Sequence, residues 1–317
     1  MFYRYLVPIF LIATSVIVSP PQVDAIREAR AILPRDVGAI GKKTVVRIEA
    51  PNGSFGSGVI IGRVERGNRN IYMVLTAAHV VASPRLSYQL VAPRPLNSSP
   101  QRPKPRFEIS ARNIQILPRV DLALVSFESN LTFAIGTIGN SAYVDEGSPV
   151  YVAGFPQPGR AIPTVTYQFT GGMVSSRLDG DEDNSRASNN GYDIAYTSVT
   201  RAGMSGGPVF DAAARIVAIH GRGDRNIQTT VDTSSEFGGS VKTGINLGIP
   251  IQAFLKLYPS ARTTIGVRLD LSPVNYLITD NSGTIGTSNK RFAKKLRTRN
   301  PDVPIVDVTK VDEATEE

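Results

Sequence analysis

Cysteine is absent from the 317 residues, as is tryptophan, and only two histidines are present. Without cysteine there is no disulfide scaffold, no thiolate zinc site, no iron–sulfur cluster and no thiol nucleophile. Two imidazoles leave too few nitrogen ligands for an ordinary zinc site, so neither a metal nor any other cofactor is expected. Glycine (28) and proline (22) follow no repeat, which excludes collagen-like and coiled-coil architectures. Long apolar runs are also missing. The one candidate, Tyr5–Val18, follows Arg4, contains Pro8 and is too short to span a bilayer. Val23-Asp24-Ala25 follows it as a small-residue cleavage site, so residues 1–25 read as a secretory signal peptide. Its removal takes one arginine and one aspartate and leaves the net charge at +8. An exported chain without cysteine fits secretion by a bacterium, to the medium or the periplasm, with no stable membrane insertion after cleavage.

From Thr44 to Pro250 the apolar pattern is that of short strands. Thr44–Glu49, Val59–Val64, Ile71–Thr76, Asp121–Phe127, Pro149–Ala153 and Ile216–His220 are rich in β-branched residues, and Arg66-Gly67-Asn68 supplies a turn. Helical spacing is weak until Ile251–Tyr258, where Ile251, Phe254, Leu255 and Tyr258 share a face. The expected class is all-β, a sandwich or pair of barrels with a late helix.

Three stretches stand apart. Ala92–Arg106 is proline-rich and basic and reads as an exposed insertion. Asp179, Asp181 and Asp183 alternate as in a calcium loop, but Asn184 and Asn190 stand where an EF-hand needs Gly and Glu, so a solvated acidic loop is the simpler reading. Beyond Ser260, Val267–Leu271 and Val274–Thr279 suggest a small hairpin. The basic block Lys290–Arg299 and the acidic stretch Asp302–Glu317 then read as a solvated tail. No nucleic-acid partner is expected, although a basic-tailed polymer binder remains a competing function.

The chemistry gathers around Ser205, in Arg201-Ala-Gly-Met-Ser-Gly-Gly-Pro-Val-Phe210. Glycines there let the backbone turn tightly and aim N–H groups at one point, as an oxyanion requires, with Gly203 and Ser205 as the natural donors. A serine needs a base. His79, in Thr76-Ala-Ala-His-Val80 at the end of a strand, is a candidate, and Asp121, at the head of an apolar strand, is a candidate to orient it. The order His79, Asp121, Ser205 is that of the two-barrel serine proteases.

Over about 44–260 the chain resembles the chymotrypsin-like (trypsin-fold) serine proteases. The matching pieces are Gly56-Ser-Gly58, Thr76–Val80, Asp121–Val125, Ala153-Gly-Phe-Pro156, Thr170-Gly-Gly172, Gly203–Phe210 and Gly248-Ile-Pro250. The resemblance implies two six-stranded antiparallel β-barrels with a C-terminal helix, a cleft between them, and acyl transfer by His79, Asp121 and Ser205 with the Gly203 and Ser205 N–H groups as the oxyanion hole. With the signal peptide (1–25) the chain then divides into an N-terminal segment or pro-segment (26–43), a protease domain (44–260) and an extension (261–317), and a monomer acting on polypeptides is expected. His220 and Thr200 fall on the walls of its specificity pocket, with Gly221, Arg222 and Gly223 offering backbone and charge. That pair looks like the glutamyl endopeptidases of staphylococcal type, which cut after Glu or Asp. Asp193 lies outside the position of a trypsin-type pocket acid. The alternatives are a heat-shock-type protease with small apolar preference and a catalytically silent binding protein of the same fold.

Overall fold

The computed structural model describes residues 28–83, 86–178, 190–226 and 241–276. The apolar N-terminal run, the acidic stretch from Asp179 and the charged blocks after Tyr276 lie outside them. Among the described residues no helix is long and apolar enough to cross a membrane.

Strand β1 (Ala29–Arg30) leads into helix α1 (Pro34–Thr44). Its two glycines weaken the local helix signal, and tertiary packing makes up the difference. Val37 is fully buried, and the Tyr167 hydroxyl donates to the Gly38 carbonyl at 3.0 Å. Proline near the first position, Asp36 in the first turn and Lys42 and Lys43 in the last are the end signals that were present in the sequence. Thr44, read as the start of a strand, is the last residue of this helix.

Strands β2 (Val45–Glu49), β3 (Phe55–Arg66), β4 (Arg69–Ala77), β5 (Tyr88–Val91), β6 (Arg106–Ile109), β7 (Ile114–Ile116) and β8 (Leu122–Ser129) form one antiparallel sheet. Their order is β6-β5-β2-β3-β4-β8-β7. The expected turn joins β3 to β4: Arg66 pairs with Arg69 and Gly67 takes φ +58°.

After β9 (Thr137–Ile138), the second unit contains β10 (Pro149–Gly154), β11 (Gln168–Arg177), β12 (Ile194–Tyr196), β13 (Pro208–Phe210), β14 (Arg215–Asn226) and β15 (Val241–Pro250). These six run β13-β10-β11-β12-β15-β14, and β14 pairs back onto β13, closing a barrel.

The expectation of two closed six-stranded barrels therefore holds for one unit. The first is a seven-stranded half-barrel. Its strands β6 and β8 meet through aromatic rings: Phe107 lies 4.6 Å from Phe127 between centroids, and Phe133 stands edge-on to both. Side-chain packing occupies the seam where a backbone ladder would otherwise run.

Helix α2 (Ile251–Leu257) follows β15, with Ile251 and Phe254 buried as their spacing predicts. After α3 (Ala261–Thr264), the expected hairpin does not form. β16 (Arg268–Leu269) pairs in parallel with β9, and β17 (Val274–Asn275) pairs in parallel with β1. Two short strands so close in sequence find separate partners because Arg215 holds the chain between them.

One apolar cluster spans both units through Val59, Leu75 and Leu122 on one side and Phe210, Ile216 and Ile249 on the other. Each such side chain contributes about 1.5–3 kcal/mol by burial, so the two units are held against each other along the line where the cleft opens.

Candidate active site

His79 sits in a single 3₁₀ turn (Ala78–Val80) at the end of β4. The turn is pinned by Asp121, which immediately precedes β8. The Ala78 N–H donates to the Asp121 carbonyl at 3.0 Å, and the His79 N–H donates to Asp121 Oδ1 at 2.9 Å. His79 Nδ1 lies 2.7 Å from Asp121 Oδ2. An ionised carboxylate only accepts, so Nδ1 carries a proton and Nε2 is left to act as a base. The histidine side chain is 47% exposed and that of Asp121 15%, which leaves the ring accessible and shelters the acid.

Tyr192 adds a third donor, its hydroxyl 2.6 Å from Asp121 Oδ2. Burial alone pushes the Asp121 carboxyl up, but the hydrogen bonds from His79 and Tyr192 outweigh it and hold the group below its ordinary value. Burial and the neighbouring carboxylate in turn push the Tyr192 hydroxyl far up, so it stays a donor.

Ser205 lies across the same cleft, a cavity of about 400 Å³ whose walls include His79, Asp121, Tyr192, Thr200, Ser205, His220 and Gly221–Gly223. Its loop is clamped by Ser57 of β3. The Ser57 N–H donates to the Ser205 carbonyl at 2.8 Å, and Ser57 Oγ donates to the Gly203 carbonyl at 2.8 Å. Gly203 takes φ +94°, and a Cβ there would stand 2.6 Å from the Phe155 carbonyl oxygen. The N–H groups of Gly203 and Ser205 donate to no carbonyl among the described residues. Two adjacent donors beside a serine hydroxyl are what a developing oxyanion requires.

His220 is 2% exposed on β14, and its Nδ1 lies 2.6 Å from the Tyr196 hydroxyl. Burial keeps the Tyr196 phenol protonated. The Thr200 hydroxyl donates to Asn246 Oδ1, and the Asn246 amide donates to the Ser198 carbonyl at 2.5 Å. The Arg222 guanidinium covers the Tyr192 ring at 4.6 Å. Beyond Ile219, β14 has no further pairing with β13, so Gly221–Gly223 pairs with β15 alone. Asp193 pairs with Arg177 at 2.8 Å and does not line this cleft. A second hollow of about 640 Å³, between Arg119, Arg177 and Lys256, shares Tyr192 but does not reach Ser205.

The structure thus brings His79, Asp121, Thr200, Ser205, His220 and Gly221–Gly223 to one cleft, with Gly203 two residues before Ser205, leaves Asp193 outside it, and adds Tyr192, Tyr196 and Asn246. Their only sequence signal was position: Tyr192 follows Asn190-Gly191, and Tyr196 closes a short apolar strand.

A family profile described as a trypsin-like peptidase domain matches residues 56–219. The chain belongs to the trypsin-like peptidase domain family and is a serine peptidase. Among solved structures, the crystal structure of Deg5 is similar at 19% identity and TM-score 0.50, over 74% of this chain and 95% of that one. The HtrA-type protease AlgW with tripeptide is similar at 19% identity and TM-score 0.51, over 73% of this chain. The chain spans 64% of the length of that structure. At such identities the likeness is one of fold. No curated protein sequence matches the chain.

Proposed function

We propose that the chain is an exported serine endopeptidase that cuts after Glu or Asp. In this reading His79 accepts the Ser205 proton as Ser205 attacks the scissile carbonyl. Asp121 holds the ring in the Nδ1–H tautomer and stabilises the imidazolium. The Gly203 and Ser205 N–H groups receive the oxyanion, His79 protonates the leaving amine, and water releases the acyl group. The observation that carries the reading is the doubly bonded Asp121–His79 pair facing a cleft with Ser205 and two unengaged backbone donors. Ser205 and His79 share no hydrogen bond in this structure; such contacts tighten when substrate excludes water.

Specificity rests on His220. In this reading the Tyr196 phenol donates to Nδ1, 2.6 Å away, the ring proton sits on Nε2, and an N–H in a water-poor pocket suits a carboxylate. The Thr200 hydroxyl has already given its proton to Asn246, so it shapes the pocket while the imidazole supplies the donor. The edge of β14 at Gly221–Gly223, past the last residue that pairs with β13, offers backbone to an extended polypeptide. Export rests on the Tyr5–Val18 run and the Ala25 site.

The test is digestion of a peptide library by the wild type, Ser205→Ala and His220→Ala. Cuts after Glu or Asp that vanish in the first variant and lose their acid preference in the second support the whole reading. Cuts after small apolar residues would keep the mechanism and replace the pocket by the heat-shock-type one. No cuts, and no fluorophosphonate label on Ser205, would leave a silent binding protein.

A further inference from the structure

Five basic side chains crowd one end of the half-barrel. Arg47 on β2 pairs with Glu49, and Arg106 on β6 reaches the same carboxylate at 2.7 Å. Lys104, in the loop before β6, holds its ammonium 4.8 Å from the centre of the Phe155 ring. The Arg47 guanidinium lies 5.8 Å from the centres of both Phe55 and Phe155, and its Nε is buried without a hydrogen-bond partner. Burial, then the fields of Arg47, Arg94 and Lys42, lower the Lys104 ammonium from its ordinary value. Like charges gathered in this way repel. Among the described residues Glu49 alone pairs with any of them, and it leaves most of the charge unanswered.

The patch adjoins the predicted oxyanion donors. The position a Cβ would take on Gly203 is 2.9 Å from the Phe55 ring and 3.0 Å from the Gln157 nitrogen. The wall from His220 to Gly223 lines the cleft, whereas Phe55 and Phe155, which press on the Gly203 position, do not line it. A peptide with its acyl side against that wall must leave past Gly203 and over Phe55. Gly203 lies against the Phe55 ring, whose centre is 5.8 Å from the Arg47 guanidinium, a reach of about two or three extended residues at roughly 3.3–3.6 Å each.

We propose that Arg47 and Lys104, with the Phe55 and Phe155 rings beneath them, form a subsite for an acidic side chain two or three residues to the leaving-group side of the scissile bond. This rests on the peptidase reading of the cleft but not on its preference before the bond. A carboxylate there replaces cation–cation repulsion with charge-assisted hydrogen bonds. The aromatic floor orients the two cations and excludes water beneath them.

The experiment is library digestion by the full chain and by Lys104→Glu, reading both sides of every cut. The expected result is enrichment of Asp and Glu at the second or third residue after the cut, which turns to Lys and Arg in the variant. On paired peptides differing only in Glu or Gln at that position, wild-type kcat/KM should differ roughly tenfold. The difference should collapse in Lys104→Ala. Cuts without acidic enrichment after the bond, or an enrichment that survives Lys104→Glu, would overturn the subsite and leave the peptidase intact. A lost Glu or Asp preference before the bond would overturn only the His220 pocket. No cuts and no label on Ser205 would remove the peptidase and this subsite together.

Discussion

The Tyr192 hydroxyl donates to Asp121 Oδ2 at 2.6 Å, the same oxygen that receives the His79 ring proton at 2.7 Å. The two residues belong to different units: Asp121 heads β8 of the half-barrel, and Tyr192 precedes β12 of the closed barrel. Gly221 makes the meeting possible, since a Cβ there would lie 2.0 Å from the Tyr192 oxygen. In the proposed mechanism Tyr192 is therefore a positioning residue, acting through Asp121. Replacing it with phenylalanine keeps the ring under Arg222 and removes one hydrogen bond to a charged acceptor. Tyr192→Phe should lower kcat and the rate of Ser205 phosphonylation roughly tenfold, with KM little changed. Gly221→Ala should match it by displacing the ring. Equal labelling rates in wild type and Tyr192→Phe would assign the tyrosine to packing alone.

Asp121 also ties acid stability to the site. Its carboxyl is held below the ordinary value of 3.8 by His79 and Tyr192, against the upward push of burial. A carboxylate with a lowered folded-state value adds stability that is present above its unfolded value and lost as the pH falls through the folded one. The melting temperature of the wild type should therefore exceed that of Asp121→Asn most at neutral pH, and the gap should close below about pH 4. Calorimetry between pH 3 and 7 reads this directly. A gap that stayed constant would mean that the variant fails for reasons of shape. At neutral pH the same substitution should cut turnover by roughly 10³–10⁴.

The residues legible in the sequence are those whose surroundings are local. His79 follows an apolar strand and two alanines, Asp121 opens a strand, and Ser205 lies among glycines, so each brings its own turn with it. Tyr192 was not legible because its partner Asp121 belongs to the other unit, and Tyr196 because His220 is reached only when β12 pairs with β15 and β15 with β14. Helix α1 was hidden by its glycines and by a packing surface supplied by β10 and β11. The strands near Arg268 and Val274 had the right composition, but nothing near them in sequence shows that one pairs with β9 and the other with β1. Likewise the proline-rich insertion was read as plain surface, whereas Ala92, Pro93 and Pro95 are buried and Lys104 returns to cover Phe155.

Gly203 should tolerate no side chain. Its φ of +94° is strained for any L residue, and the missing Cβ would press on the Phe155 carbonyl oxygen. Gly203→Ala must rotate the peptide that carries a predicted oxyanion donor, or push β10 away. Loss of one such donor costs about 10²–10³ in turnover, and the strain about 1–3 kcal/mol of stability. Phosphonylation kinetics and a thermal melt separate the two effects. An alanine variant that labels at the wild-type rate would remove Gly203 from the oxyanion hole.

Arg215 holds the C-terminal strap by a pair that water does not reach. Its guanidinium lies 2.8 Å from Asp211 Oδ2, with the two side chains 4% and 3% exposed. Nη1 also donates to the carbonyls of Asp270 and Ser272 at 3.1 and 2.6 Å. Asp211 in turn accepts the Ala213 and Arg215 N–H groups, so its carboxylate cannot turn to solvent without breaking the turn. Arg215→Met strands that carboxylate and should cost about 3–5 kcal/mol in urea unfolding. Burial already pushes the Asp211 carboxyl up, against the pull of Arg215. With the arginine gone the folded state favours the protonated acid, so the deficit should shrink as the pH is lowered. Adding Asp211→Asn keeps an acceptor for both backbone groups and removes the charge, and should recover part of the loss at neutral pH. If it recovers none, the arginine stabilises the fold through its hold on Asp270 and Ser272, and protease susceptibility of the 268–275 segment should rise equally in the single and double variants.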